Sequence, residues 1–380
     1  MADAKAHIPL YLDSPEATAR FLREISTATQ VAVDTEGASF HRFVDRIYLL
    51  QISTRERSAI IDPLAVQQLD GLGALIERAD VEVVFHDADY DLRLLRQDYG
   101  WQVRRLFDTR VAAQLLGIRA FGLAALLERY FGVKLEKKYQ RADWSLRPLT
   151  PGMLEYAAQD TMHLLALRDR MADDLERLGR SAWAREEFTR VEEVRWEPED
   201  PAQAFLRVKG ARDLSRRELA VFKELVHWRD HVAAEQDRAT FRVIGNEQLF
   251  ELARRQPTSR EGMLEVKGVP RGIVEHRGGE LLDAIRAGLA VPEHDLPRFP
   301  RGKRWDRDPD FDARVATLKT VRDAVAEKLD LDPGVLCAKD RLEAVARRNP
   351  QSVDELSEVT ELRRWQMDVL GDGFLRVLRK

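Results

Sequence analysis

The chain has 380 residues, 44% hydrophobic and 33% charged, with one cysteine, Cys337, and a formal net charge of −4. This length points to two or three domains of a soluble protein, and no apolar run is long enough to cross a bilayer. A lone cysteine excludes an intramolecular disulfide and argues against a zinc cage; with no signal-peptide core at the N-terminus, a reducing cytoplasm is the expected location.

Short apolar runs rich in Val and Ile at 31–36 (VAVDTE), 47–53 (IYLLQIS), 58–62 (SAIID) and 81–86 (VEVVFH) predict strands, the first three joined closely enough for a meander. Apolar residues at three- and four-residue spacing then predict helices over 87–99, 109–117, 122–132 and 150–179. Thr150 followed by Pro151 marks the start of the last helix, and Gly179 its stop. This mixture makes an α/β domain of residues 1–205, ending in a Pro-containing linker, RWEPEDPAQAF (195–205).

Beyond the linker the chain is helical and repeats itself. A shift that sets 229 onto 322 aligns RDHVAAE (229–235) with RDAVAEK (322–328) and LARRQP (252–257) with VARRNP (345–350), without a gap. Two copies of one small helical domain, 211–290 and 301–380, are therefore expected. The segment between them, VPEHDLPRFPRGKRWDRDPD (291–310), is proline-rich and locally basic at Arg301, Lys303 and Arg304. In the first copy KGVPRG (267–272) forms a helix-terminal turn whose Lys267 and Arg271 suit phosphate contacts; the alternative is that both copies only scaffold the first domain.

Carboxylates interrupt the expected core in three places. Asp34 and Glu36 end the first apolar run, and two residues apart on a strand they share one face; a solvated strand end and a functional pair both account for them. His86, Asp87 and Asp91 follow the last strand. Asp87 and Asp91 share a helical face if the helix begins at Asp87, where their repulsion speaks against placement for stability, while Asp87 alone reads as a cap. Tyr156 and Asp160 stand four apart on a strongly apolar helix, where an acid either faces solvent or needs a partner or a metal.

Taken together, four carboxylates from a strand end and two helices make a cage of hard oxygen ligands for Mg²⁺ or Mn²⁺, suited to phosphoryl chemistry. The Tyr156 hydroxyl, one turn before Asp160, reaches the same spot to orient a water. Residues 1–210 hold 34 Asp and Glu against 29 Lys and Arg, an acid excess that suits a cation site. Near-neutral charge elsewhere leaves any nucleic-acid contact to local patches.

In this order and spacing VDTE, HDADYDLRLL and YAAQD resemble the three exonuclease motifs of the DEDD superfamily, in the subclass with Tyr four residues before the last Asp, and above all those of the ribonuclease D family. LLQIS, FDTRVAAQLL and YQRADWSLRPL resemble further signatures of that family, so the resemblance spans residues 25–175. It implies a ribonuclease H-like α/β exonuclease domain with a mixed sheet, followed by two small all-α domains of the type shared by helicases and ribonuclease D. It also implies that Asp34, Glu36, Asp91 and Asp160 bind two divalent ions, Mg²⁺ or Mn²⁺, and that Tyr156 positions the nucleophilic water. Glu155 stands where the His-using subclass keeps its base.

Thr35, His86, Gln140, Trp144, Lys267 and Arg271 are the candidate substrate contacts. His86 equally well ends its strand, and Trp144 with Arg147 equally well braces the loop before the third motif. Gln51 is either structural or reaches the site, and Asp108 with Thr109 reads as a helix start. In the second helical copy VTELRRWQ replaces VKGVPRGI, a departure at the turn expected to meet backbone phosphates.

The implied activity is metal-dependent release of nucleoside 5′-monophosphates from the 3′ end of RNA, tRNA precursors and other structured RNA being the substrates and a monomer the acting form. The alternatives are a DNA 3′ exonuclease of proofreading type and a catalytically idle RNA-binding scaffold. The chain has neither room for a polymerase nor a helicase-type P-loop, which disfavours the first; the presence of all four acids and the tyrosine disfavours the second.

Overall fold

Strands Leu49–Ser53, Ser58–Ile61 and Glu82–Phe85, buried at every position, flank the longer strand Gln30–Glu36 or its neighbour and make the interior of the sheet. In chain order the elements are β1 (Leu10–Leu12), α1 (Pro15–Glu24), β2 (Gln30–Glu36), β3 (Leu49–Ser53), β4 (Ser58–Ile61), α2 (Asp70–Ile76), β5 (Glu82–Phe85), α3 (Asp89–Tyr99), β6 (Leu106–Asp108), α4 (Thr109–Leu115), α5 (Leu123–Phe131), α6 (Pro151–Met162), α7 (Leu164–Arg177) and α8 (Ser181–Glu192). The strands form one mixed sheet in the order β1-β4-β3-β2-β5-β6. β2, β3 and β4 are the expected antiparallel meander, while β1 joins β4, β5 joins β2 and β6 joins β5 in parallel. The computed structural model describes residues 9–135, 138–197, 200–300 and 309–379, so Arg301, Lys303 and Arg304 lie outside the described residues.

Five elements, β1, α1, α2, β6 and α8, have no counterpart in the sequence reading. β1 and β6 are three residues long, too short to show a period of two. Two expected helices also differ. The helix after β5 cannot begin at Asp87, because that residue has φ +67; it begins at Asp89, so Asp87 and Asp91 do not share a helical face and Asp87 is not its cap. The single helix expected over 150–179 breaks at His163 (φ −103, ψ −6) into α6 and α7, between the Thr150 cap and the left-handed Gly179.

The helical remainder comprises α9 (Ala204–Arg207), α10 (Arg216–Glu235), α11 (Thr240–Val243), α12 (Asn246–Arg255), α13 (Arg260–Leu264), α14 (Arg271–Ala290), α15 (Phe311–Leu329), α16 (Pro333–Leu336), α17 (Lys339–Arg348), α18 (Val353–Ser357) and α19 (Arg364–Leu378). The sequence repeat is carried into the geometry. Buried Arg229 and Arg322 each donate from Nε to the next residue, Asp230 at 3.0 Å and Asp323 at 2.8 Å. Matching left-handed turns fall at Asp237 and Asp330 (φ 45 and 51) and at Gln256 and Asn349 (φ 49 and 48), and Ser259 and Ser352 cap matching helices.

Among the described residues, contacts divide the chain into two compact units, one of 9–36, 47–196 and 309–379, the other of 37–46, 197 and 200–300. Within the second unit, segment 37–46 lies on the first helical copy: Arg42 pairs with Asp237 at 3.2 Å and Phe40 meets Phe241 edge to face at 6.3 Å. Within the first unit, the second helical copy shares a core with the helices beside the sheet. Trp183 stacks on Trp365 at 4.8 Å, and Glu187 accepts from Trp365 Nε1 at 2.8 Å. Arg180 bridges the carbonyls of Leu115 (2.7 Å) and Leu329 (2.6 Å). Among the described residues no helix is long and apolar enough to cross a membrane.

Gly117 is a point of close approach in this packing. Its φ is +77, and a Cβ there would stand 2.1 Å from the Asp330 carbonyl oxygen. Gly117→Ala is expected to destabilise the chain by ~2 kcal/mol or more in urea denaturation, from strain and overpacking together. Gly100→Ala, also left-handed (φ +74) but with open space around it, is expected to cost about 1 kcal/mol.

Candidate active site

The site begins where β2 outruns its neighbour. β5 pairs with β2 only from Gln30 to Ala32, and the chain then turns away into α3. The Thr35 N–H therefore needs another acceptor, and Asp91, in the first turn of α3, supplies it: Asp91 Oδ1 accepts from the Thr35 backbone at 3.0 Å and from the Thr35 hydroxyl at 2.5 Å. Asp34 and Glu36, on either side of Thr35, point to the opposite face of the strand. There they meet Asp160 of α6, and one carboxylate oxygen from each of the three lies within 4.8 Å of the others. Asp91 stands outside this trio, buried and tied to Thr35, yet it acts electrostatically on Glu36 and Asp160.

Like charges brought together out of water resist ionisation. Burial, then the Asp160 charge, raises the Asp34 carboxyl well above its usual range. Burial followed by Asp34, Asp160 and Asp91 does the same to Glu36. Burial followed by Asp34 raises Asp91, against the opposing Thr35 hydrogen bonds. Asp160 is pushed up to about 7 by burial and Asp91. The charged groups acting on Glu36 are all acids, and no Lys or Arg among the described residues offsets the cluster. Oxygen ligands of this kind at this separation fit a divalent ion. Burial and the charges of Asp160, Glu36 and Asp34 also raise the Tyr156 phenol, which stays protonated.

Two buried carboxylates outside the motifs position these groups. Asp108, at the end of β6, accepts the backbone N–H groups of Asp87 (3.1 Å), Ala88 (2.9 Å), Arg110 (2.8 Å) and Val111 (3.2 Å), capping α4 as expected and also fixing the entry to α3. Asp62, after β4, accepts from Tyr11 (2.6 Å) and from Arg147. Arg147 in turn donates to the carbonyls of Trp144 and Tyr48, each at 2.8 Å. Trp144 is 1% exposed, with its ring centroid 6.1 Å from that of Tyr156.

Trp144 and Arg147 thus brace the loop, and Trp144 does not present its ring to a channel. Thr35, expected among the substrate contacts, has a buried side chain given over to Asp91. His86 is half-buried and its Nδ1 lies 2.9 Å from the Thr109 hydroxyl; burial lowers it to about 4, so it is neutral near pH 7. Gln140 is exposed in the turn before Trp144, and Lys267 and Arg271 are exposed at the start of α14 in the other unit. The brace at Asp62 escaped the sequence reading because nothing in spacing links 62 to 147; its one visible signal is an acid closing the apolar run SAIID.

Because the folded chain holds protons on this cluster that the unfolded chain has lost, the cluster destabilises the metal-free protein increasingly as pH rises from the ordinary carboxylate range through about 7. In EDTA the melting temperature of Asp160→Asn is expected to exceed that of the parent by ~2 °C or more at pH 8, with the gap closing at pH 5. Asp108→Ala strands four backbone donors and is expected to cost ~2–4 kcal/mol in urea denaturation, with Asp108→Asn intermediate.

Comparison with known proteins agrees with this geometry. Residues 10–176 match the 3′-5′ exonuclease family, and residues 218–285 and 311–378 each match the HRDC domain. The chain is 28% identical over 370 residues to ribonuclease D of Gluconacetobacter diazotrophicus, covering 97% of this chain and 92% of that one. It is 32% identical over 264 residues to ribonuclease D of Shewanella sp. strain ANA-3, covering 69% and 68%. In fold it resembles Escherichia coli RNase D, an exoribonuclease involved in structured RNA processing, with a TM-score of 0.74, 24% identity and 98% of each chain covered. An acid cluster at the end of β2, an exonuclease domain around it and two HRDC copies following it in the sequence place the chain in the ribonuclease D family of 3′-5′ exoribonucleases.

Proposed function

We propose that the chain shortens structured RNA from its free 3′ end, tRNA precursors among its substrates, releasing nucleoside 5′-monophosphates with two divalent ions, Mg²⁺ or Mn²⁺. The observation that carries this reading is the convergence of Asp34, Glu36 and Asp160, whose oxygens lie within 4.8 Å of one another with only acids acting on Glu36. These three residues and Asp91 would hold the ions. Divalent ions bound there supply an activated water and charge stabilisation for the leaving oxygen of an in-line displacement.

The side chains divide the remaining work. Tyr156 keeps its proton, so its hydroxyl orients the attacking water by hydrogen bonding and does not act as a base. Asp91, anchored by Thr35, holds one carboxylate oxygen fixed and leaves the other for a ligand. The Asp62–Arg147 brace keeps Trp144, and through it Tyr156, in place. His86 and Gln140 are assigned to the RNA near its 3′ end. Lys267 and Arg271 are assigned to phosphates farther along, where α14 starts without a side-chain cap. The working domains are 1–205 for catalysis and 211–290 and 301–380 for the two helical copies, in a monomer. A cytoplasmic location accords with a lone, buried Cys337 whose thiol burial raises to about 11.

End-labelled single-stranded RNA, DNA and a tRNA precursor, each incubated with Mg²⁺ or with EDTA, test the reading. RNA is expected to shorten from the 3′ end only with the cation. Asp160→Asn is expected to abolish shortening, and Tyr156→Phe to lower kcat by ~10²-fold or more. Faster loss of DNA than of RNA, or RNA shortening that survives EDTA, would sink it.

A further inference from the structure

One buried polar side chain beside the acid cluster has no use in the mechanism above. Gln51, at the centre of β3, is 0% exposed, and neither its Oε1 nor its Nε2 has a hydrogen-bond partner among the described residues. Buried amides are rarely left so, because the desolvation cost falls on both donor and acceptor. What surrounds Gln51 narrows the choice of partner. Its cross-strand neighbours are Asp34 on β2 and Ile60 on β4. Residues directly opposite in an antiparallel pair share a face, with Cβ atoms about 5 Å apart. Ile60 offers no polar group, and Tyr11, one strand farther along the row, spends its hydroxyl on Asp62, so Asp34 is the polar side chain directly opposite Gln51.

The covering helix leads to the same place. Ser53, two residues along β3 and on the same face as Gln51, meets Thr161 of α6 at 2.8 Å between hydroxyls. That contact lays α6 over this part of β3, one residue from Asp160, and the buried positions a turn earlier, Ala157 and Ala158, carry no polar side chain. The register thus sets Gln51 between Ile60 on the β4 side and the Asp34 carboxylate on the β2 side.

We infer that Gln51 is a positioning residue for Asp34: in the cation-loaded enzyme its Nε2–H donates to one oxygen of the Asp34 carboxylate and leaves the other to face the cation. The argument rests on the metal reading of the Asp34, Glu36 and Asp160 cluster. A neutral amide suits the role, since a Lys or Arg would neutralise Asp34 and compete with the ion, whereas Gln orients the carboxylate and leaves its charge intact.

The test compares the parent with Gln51→Met, close in size and apolar, with Gln51→Leu as a second variant should Met disturb folding, and with Asp160→Asn. Mn²⁺ binding is measured by calorimetry and melting temperature in EDTA by circular dichroism. Losing the amide is expected to leave the melting temperature in EDTA equal to or above the parent's, because an unpaired buried polar group is removed, while Mn²⁺ affinity falls ~10-fold or more. In parent protein labelled with ¹⁵N-glutamine, the side-chain NH₂ signal missing from Gln51→Met is expected to shift on adding Mg²⁺. Mn²⁺ affinity within twofold of the parent, or an NH₂ signal indifferent to Mg²⁺, would overturn the inference and leave Gln51 as structural. Should Asp160→Asn bind Mn²⁺ as tightly as the parent, the metal reading of the cluster fails instead, and the two failures are thereby told apart.

Discussion

Mutual repulsion among four half-buried or buried acids is the constraint from which the rest of the first unit follows. Asp34, Glu36, Asp91 and Asp160 are raised by burial and by one another, so folding works against their charge until a cation balances it. The surrounding framework has to hold them in spite of that. The apolar body of β2, with Val31, Ala32 and Val33 essentially inaccessible to water, anchors the strand whose end carries two of the acids. Antiparallel pairing with β3 continues beneath Asp34 and Glu36 and keeps that end straight after β5 has left.

The other two acids are held by devices of different kinds. Asp91 is tied to the backbone of β2 itself, and the helix that bears it is fixed at its entry by Asp108, one carboxylate that caps α4 and holds the two residues before α3. Asp160 rides on α6, which is pinned to β3 through Ser53 and Thr161. The loop leading into α6 is clamped to the end of β4 by Arg147 and Asp62, where burial raises the acid and the guanidinium and Tyr11 more than reverse it. Catalytic geometry of this kind depends on such supporting contacts, because a displacement of about 1 Å at a metal ligand is enough to lose the site.

The helical copies show how one repeated sequence acquires two settings. Turn residues and the buried Arg–Asp pairs are common to both. The differences lie on their surfaces. The second copy carries Trp365 and Arg363 toward Trp183 and Glu187 and joins the core of the exonuclease unit, whereas the first keeps its own core, with Phe222 and Phe250 stacked at 4.4 Å. The turn at Gly268, absent from the second copy, remains with the one whose Lys267 and Arg271 are exposed.

Periodicity was enough to find the meander, the α/β character, the repeat and the acid positions, because strand and helix periods and repeated turns are local properties of the chain. Asp34, Glu36, Asp91, Tyr156 and Asp160 were legible as a set through their spacing within three motifs. The start of α3 was not, since the left-handed Asp87 and the hold of remote Asp108 on the Asp87 and Ala88 N–H groups decide it, nor was the break at His163. Thr35 and Trp144 read as substrate contacts because alternation and composition cannot say which buried polar group a neighbour will occupy. The Thr35 tie to Asp91 spans 56 residues, the Arg147 clamp to Asp62 spans 85 and the row joining Gln51 to Asp34 is a matter of register. The sequence alone determined where the acids and the tyrosine stand in their motifs; tertiary structure decided which of them converge and what holds each of them, because those partners are brought together by sheet order and helix packing that no local pattern encodes.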